Sequence, residues 1–313
     1  MQRPDVLMTG PYPAWDMEPL EHDYTLHRLW DAKNRDIFLK DIAPKIRAIA
    51  TRGELGANAE LIAALPHLEI ISCYGVGTDA IDLAAAKARN IRVTNTPDVL
   101  TRDVADMALA LILASLRKIP QGDAYVRAGK WPSKNMDLVT SLTGKTVGIF
   151  GFGRIGRAVA RRAAAFETHI AYSGRAPVPG VAHTFYPDAV SLAKASDVLV
   201  ITVAGGPSTK NLINTDVFEA LGPQGLLVNV ARGTVVDETA LIDALSKGVI
   251  GGAALDVFWN EPHIDARLLE FPNVLVQPHH SSGTAETRKA MGQLVRDNLA
   301  AHFAGRALLT PVG

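Results

Sequence analysis

The chain has a single cysteine, Cys73, so no intrachain disulfide can form and the fold must stand on packing and hydrogen bonds. It has no excess of either charge, because 32 Lys and Arg balance 32 Asp and Glu. Neither nucleic acid nor an acidic membrane surface is therefore expected as a partner. No apolar run reaches the roughly 18 residues of a membrane span. The longest, 107–116, is short and is followed by Arg117-Lys118. The first residues, Met1-Gln2-Arg3-Pro4-Asp5, lead straight into the strand-like Val6-Leu7-Met8 and lack the architecture of a signal peptide. A cytoplasmic protein is the expectation. Cys73 lies in an apolar run and reads as a small core residue. Internal repeats and low-complexity segments are absent, and no metal site is expected.

What is present is length for about two domains, and hydrophobic residues in 48% of positions, enough for sizeable cores. Short apolar runs alternate with helical stretches almost throughout, the pattern of an α/β protein with parallel sheets. Early strands are expected over 5–9, 46–51, 70–74 and 91–95, with helices such as 57–65 and 83–89 between them. A long apolar helix over 103–117, free of Pro and Gly, is long enough to cross from one unit to the next. Later strands are expected over 145–150, 197–203, 225–230, 252–257 and 273–277, and a closing helix over 284–303 is opened by Thr284. The last segment, 308–311, reads as extended. These are too many strands for one ordinary sheet. The order suggests one domain inserted into another, with the last helix returning to the first. Two such domains would leave a cleft of the kind that binds small ligands.

Residues 148–175 carry the most information. An apolar strand ends in Gly151, Gly153 and Gly156 with G-x-G-x-x-G spacing; a helix-like stretch over 154–166 follows, then a second strand ending in Ser173-Gly174-Arg175. Such glycines let backbone amides at a helix N-terminus approach a pyrophosphate. An acid at the end of the second strand would bind the ribose 2′-hydroxyl of NAD, whereas an Arg accommodates the 2′-phosphate of NADP. Between Thr168 and Pro187 there is no Asp or Glu, and Arg175 is present. NADP is the expected cofactor.

Three later strand ends hold chemistry-bearing residues: Ala231-Arg232-Gly233, then Asp256 with Glu261-Pro262, then Pro278-His279-His280. Open α/β sheets bind ligands at this edge. Reduction of a 2-keto acid by hydride would build charge on the keto oxygen, which then needs a proton. A histidine supplies it if an acid beside it favours the charged imidazole, and Glu261 is suited to pair with His279. The planar fork of Arg232 would hold the substrate carboxylate with two hydrogen bonds. Taken singly, each of these residues also reads as structural. Their order behind the glycine motif argues for catalysis.

With these residues in view, the chain resembles the D-isomer-specific 2-hydroxyacid dehydrogenase family over essentially its whole length. The Arg, Glu and His come in that family's order, as Ala231-Arg232-Gly233, Glu261-Pro262 and Pro278-His279. Within the family it looks closest to NADPH-dependent hydroxyphenylpyruvate and glyoxylate/hydroxypyruvate reductases, through the segments 95–101, 151–156 and 286–289 and the tail 301–311. The resemblance implies two Rossmann-like domains: an NADP-binding domain (99–283) inserted into a flavodoxin-like substrate domain (1–98 plus 284–313). It implies catalysis by Arg232, Glu261 and His279. Substrate contacts would come from Arg52, the amides of Val76 and Gly77, and Trp131, which would reach toward a partner's pocket in a homodimer. The implied cofactor set is Thr101, Gly151, Phe152, Gly153, Arg154, Ile155, Gly156, Ser173, Gly174, Arg175, Val203, Thr209, Val230, Ala231, Asp256 and Ser281. Asp256 would accept from the nicotinamide carboxamide.

Two departures stand out. His280 replaces the small or aliphatic residue usual after the catalytic His, leaving His279 the candidate because it alone follows Pro. Residues 203–207, Val-Ala-Gly-Gly-Pro, replace a common Cys-Pro-Leu-Thr-Pro beside the cofactor. The competing readings are a formate dehydrogenase relative, which would carry Gln at position 261, and a non-catalytic dinucleotide-sensing binding protein of the same fold.

Overall fold

The computed structural model describes residues 3–312. Met1 and Gln2, which begin the stretch read above for a leader, and Gly313 lie outside the described residues. The chain divides into two compact units, Met1–Leu100 with Ser282–Gly313, and Thr101–Ser281. No described helix is long and apolar enough to cross a membrane.

The first unit runs β1 (Asp5–Met8), α1 (Ala14–Asp23), β2 (Thr25–Arg28), α2 (Arg35–Ile42), β3 (Ile46–Arg52), α3 (Ala59–Ala64), β4 (Ile70–Tyr74), α4 (Leu83–Ala88) and β5 (Arg92–Thr94). The strands pair in parallel in the order β2-β1-β3-β4-β5, the flavodoxin-like order. Strand β4 is buried at every position and mostly apolar, as a strand covered on both faces tends to be; its one serine, Ser72, accepts from Thr94 Oγ1 at 2.9 Å. Asn34, Asn58 and Asp82 start α2, α3 and α4 by accepting first-turn amides. Elements α1, β2 and α2 lie in a stretch for which no element was expected. Pro19 inside α1 masks it, since proline reads as a helix breaker.

The second unit runs α5 (Thr101–Leu116), α6 (Ile119–Arg127), β6 (Thr146–Phe150), α7 (Arg154–Ala164), β7 (His169–Ser173), β8 (Thr184–Tyr186), α8 (Ala189–Lys194), β9 (Val198–Ile201), α9 (Thr215–Leu221), β10 (Leu226–Asn229), α10 (Glu238–Ser246), β11 (Gly252–Leu255), α11 (Ala266–Leu269) and β12 (Val274–Val276). Its seven parallel strands take the order β12-β11-β10-β9-β6-β7-β8, with the strand order reversing between β6 and β9. The long helix expected over 103–117 is α5. It does not cross between units: it lies wholly within the second, packed on α7, β10 and β11.

Helix α12 (Ala285–Phe303) returns to the first unit and packs on α1 and β4. Asp16 of α1 is fully buried there and pairs with Arg296. Burial raises its carboxyl above the ordinary value, against the pull of Arg296. Gly292 permits the approach, because a Cβ at that position would stand 1.9 Å from Asp16 Oδ1. The extended tail closes the sheet edge, with Val312 N donating to Val93 O at 2.8 Å.

Candidate active site

Apart from Thr101 and Trp131, the second unit's candidate residues follow the carboxyl ends of β6, β7, β9, β10, β11 and β12. After β6 the glycines have distinct jobs. Gly151 has φ +104, and a Cβ on it would lie 2.5 Å from Val203 N. A Cβ on the buried Gly156 would meet Gly151 O at 2.2 Å, so this glycine allows α7 to pack against the turn. Around Gly153 nothing lies within 4 Å of a built Cβ. Most helices here begin with a side chain that accepts first-turn amides, such as Asp188, Asn214 and Asp237. Helix α7 begins at Gly153 with no such side chain. Its first-turn amides, at Arg154 and Ile155, face a glycine cradle, which is what a pyrophosphate needs.

The surrounding candidates divide by exposure. Phe152 is buried and its ring stacks on Tyr172 at 4.2 Å, which leaves its backbone for any ligand. Ser173 is buried, and its carbonyl accepts from Gly151 N at 2.9 Å. Gly174 leads to Arg175, which is exposed. Val230 and Ala231 are buried beneath the strand end, and Thr101 is half-buried at the start of α5. In the unusual 203–207 segment, Thr209 Oγ1 donates to Ala204 O at 2.8 Å and closes the loop.

The turn carrying Arg232 is held by the buried Asn229, which accepts from Ala231 N and donates to Arg232 O, each at 3.0 Å. Glu261 has both oxygens engaged: Oε1 accepts from Phe258 N at 2.9 Å, and Oε2 lies 2.6 Å from His279 Nδ1. Burial pushes the Glu261 carboxyl up, but the His279 hydrogen bond and charge, the Phe258 amide and the charge of Arg232 outweigh it and hold it below its ordinary value. Engagement of Nδ1 leaves Nε2 of His279 as the nitrogen that can face a substrate. His280 is exposed and gives its backbone amide to Asp256, whereas the imidazole beside Glu261 is that of His279.

Asp256 was expected inside a strand. It stands one residue past the end of β11, fully buried. Its oxygens accept from His280 N at 2.7 Å and Ser281 N at 3.0 Å. These bonds clamp the turn in which His279 has φ +50, a left-handed backbone that is uncommon for a residue with a side chain. Next to this clamp, Ser281 Oγ is buried and has no hydrogen-bond partner among the described residues. An orphaned hydroxyl there fits a site completed by a polar group such as a carboxamide.

In the first unit, the loop after β4 holds Val76 and Gly77. Asn95 Nδ2 donates to Val76 O at 2.8 Å and Thr96 N to Gly75 O at 2.9 Å, so the loop's carbonyls are occupied from below. Tyr74 Oη anchors the strand end by donating to Arg288 O at 2.6 Å. Arg52 ends β3 and pairs with Glu54 at 2.6 Å. Trp131, in the second unit, is 63% exposed. Asn229 and Asn95 had no assigned role in the sequence. Only their positions, beside the Arg232 turn and after β5, hinted at one.

Residues 109–281 match the family described as D-isomer specific 2-hydroxyacid dehydrogenase, NAD binding domain. The protein is 48% identical to glyoxylate/hydroxypyruvate reductase A of Arabidopsis thaliana over 100% of both chains. It is 50% identical to the 2-ketogluconate reductase of Gluconobacter oxydans over 99% of each. Among solved structures, the NADPH-dependent glyoxylate/hydroxypyruvate reductase of Sinorhizobium meliloti, in complex with NADP and malonate, superposes with a TM-score of 0.94 at 44% identity. That match covers 100% of this chain and 97% of the other.

Proposed function

The chain belongs to the D-isomer-specific 2-hydroxyacid dehydrogenase family, and from that premise we propose that it is an NADPH-dependent reductase. It takes glyoxylate, hydroxypyruvate or aryl-pyruvates to the corresponding 2-hydroxy acids, the D isomer wherever a stereocentre forms. The observation that carries this reading is the Glu261–His279 bond at 2.6 Å with Arg232 acting on the same carboxylate. When bound, the reduced nicotinamide supplies the hydride. Arg232 holds the substrate carboxylate and polarises the keto group. His279 Nε2 gives its proton to the keto oxygen as charge develops there, and Glu261 stabilises the charged imidazole on Nδ1. Arg52 and the amides of Val76 and Gly77 add to carboxylate binding.

The residues around the glycine turn would hold the cofactor. The α7 N-terminus with Gly151 and Gly153 takes the pyrophosphate, and Asp256 and Ser281 serve the carboxamide end. Ser173, Gly174 and Arg175 serve the ribose 2′-phosphate. The stretch from Thr168 to Pro187, which lacks any acid, supports NADPH over NADH, as does the NADP complex of the Sinorhizobium relative. We further propose a cytoplasmic homodimer in which Trp131 serves the partner's pocket.

Purified protein with NADPH or NADH and a panel of keto acids tests the reading through the loss of reduced-cofactor absorbance. The panel holds glyoxylate, hydroxypyruvate, hydroxyphenylpyruvate and 2-ketogluconate, the last prompted by the Gluconobacter relative. Oxidation that is faster with NADPH, and an Arg175→Ala variant that raises the NADPH KM while sparing NADH, are the expected results. No oxidation with any member overturns the proposal.

A further inference from the structure

Trp259 lies two residues before Glu261 and reaches across to the segment that follows Arg232. It is partly buried, and its indole Nε1 donates to Val236 O at 2.6 Å. Its backbone N–H makes a long bond, 3.5 Å, to Glu238 Oε2, and Lys210 Nζ stands 5.1 Å from the ring centroid. Val236 caps the short 3-10 turn Gly233–Val235 that starts at Arg232, and Glu238 is the first residue of α10. The indole bond and the Glu238 bond therefore tie Trp259 to the chain immediately after Arg232.

On its other side Trp259 belongs to the turn 258–261. The Phe258 amide in that turn donates to Glu261 Oε1, while Glu261 Oε2 meets His279. We infer that Trp259 is a positioning residue, which sets the placement of the Glu261–His279 pair relative to Arg232. The inference rests on the reductase reading above. An indole hydrogen bond to a backbone carbonyl is directional and short, so rotation of the 258–261 turn away from the Arg232 segment would break it. Charged groups around this link are few: Lys210 on the indole face, Glu238 beside the backbone, and Asp265 and Arg267 acting on Glu238. His279 and Arg232 act on Glu261.

The test uses Trp259→Phe, which keeps a ring for Lys210 but removes the indole donor, and Trp259→Ala. Each is measured for kcat and KM with the best keto acid, for the pH profile of kcat/KM, for NADPH binding by cofactor fluorescence, and for Tm. The expected result for Trp259→Phe is a fall of roughly five- to thirtyfold in kcat/KM. The alkaline limb of the profile moves to lower pH by roughly half a unit, and NADPH affinity is kept. A lowered Tm with a wild-type profile and wild-type kcat/KM marks a purely structural tryptophan and overturns the inference. Where Trp259→Ala fails to fold, Trp259→Phe carries the same decision. A wild-type protein inactive on every keto acid overturns the functional reading, and this inference with it. An active wild type with unmoved Trp259 variants overturns the inference alone.

Discussion

Gly233 and Phe258 touch backbone to backbone: a Cβ placed on Gly233 would stand 2.0 Å from the Phe258 carbonyl carbon and 2.1 Å from its oxygen. Gly233 follows Arg232, and Phe258 gives its amide to Glu261. The close approach therefore sets how far the guanidinium-bearing turn can sit from the carboxylate-bearing one. Gly233→Ala must push them apart by most of an ångström or more. The expected outcome is at least a tenfold loss in kcat/KM for the keto acid, because small misplacement of catalytic groups is costly. Steady-state kinetics with NADPH saturating is the check, and unchanged turnover would show that the contact is slack.

The glycine turn separates ligand space from packing space. Gly153→Ala adds a methyl where nothing lies within 4 Å, so Tm should hold while NADPH affinity falls. Gly156→Ala drives a methyl to 2.2 Å from the Gly151 carbonyl, so Tm should drop by several degrees. Thermal melts with cofactor titrations decide it, and the opposite pattern would contradict the assignment of the cradle.

Asp256 holds two backbone amides in a buried place. In Asp256→Ala both lose their acceptor, at about 1–3 kcal/mol for each unpaired group. The left-handed backbone of His279 should relax as well. A lower denaturation midpoint together with a lower kcat is expected. Asp256→Asn, which keeps one acceptor oxygen, should fall between. Full activity in Asp256→Ala would remove the clamp from the account.

Glu261 gives a pH dependence of known sign. Its folded carboxyl titrates below its ordinary value, so ionisation favours the folded state. That stabilisation is complete above the ordinary carboxylate range and is lost as pH falls through the depressed value. The stability difference between wild type and Glu261→Gln, from denaturant melts, should therefore shrink on acidification from neutral pH. A difference that grows on acidification would contradict the pairing.

Much of the site was legible because its signals are local. The G-x-G-x-x-G turn needs glycine within one short segment, and Arg232 and Glu261 each come after a buried strand, while His279 comes after the half-buried apolar β12. What the sequence concealed depends on approach between distant segments. Nothing in Gly233 announces the Phe258 carbonyl, and nothing in Trp259 announces Val236. Asp256 read as a strand residue because the apolar run continues to Phe258, although pairing stops at Leu255. Helix α6 went unread for a related reason. It contains Pro120 and Gly122 and none of its residues is buried, so no apolar stripe marks it. Element α1 failed through Pro19. There the contact that α1 makes through Asp16, with Arg296, joins residues at opposite ends of the chain.

The central claim is that Arg232 acts on the substrate and not on the cofactor or the fold. Arg232→Ala measured against wild type, for NADPH binding by cofactor fluorescence and for keto-acid reduction by NADPH absorbance, tests it most directly. The account predicts retained NADPH affinity and a loss of at least about a hundredfold in kcat/KM. Near-normal reduction by a folded, NADPH-binding Arg232→Ala protein would contradict it.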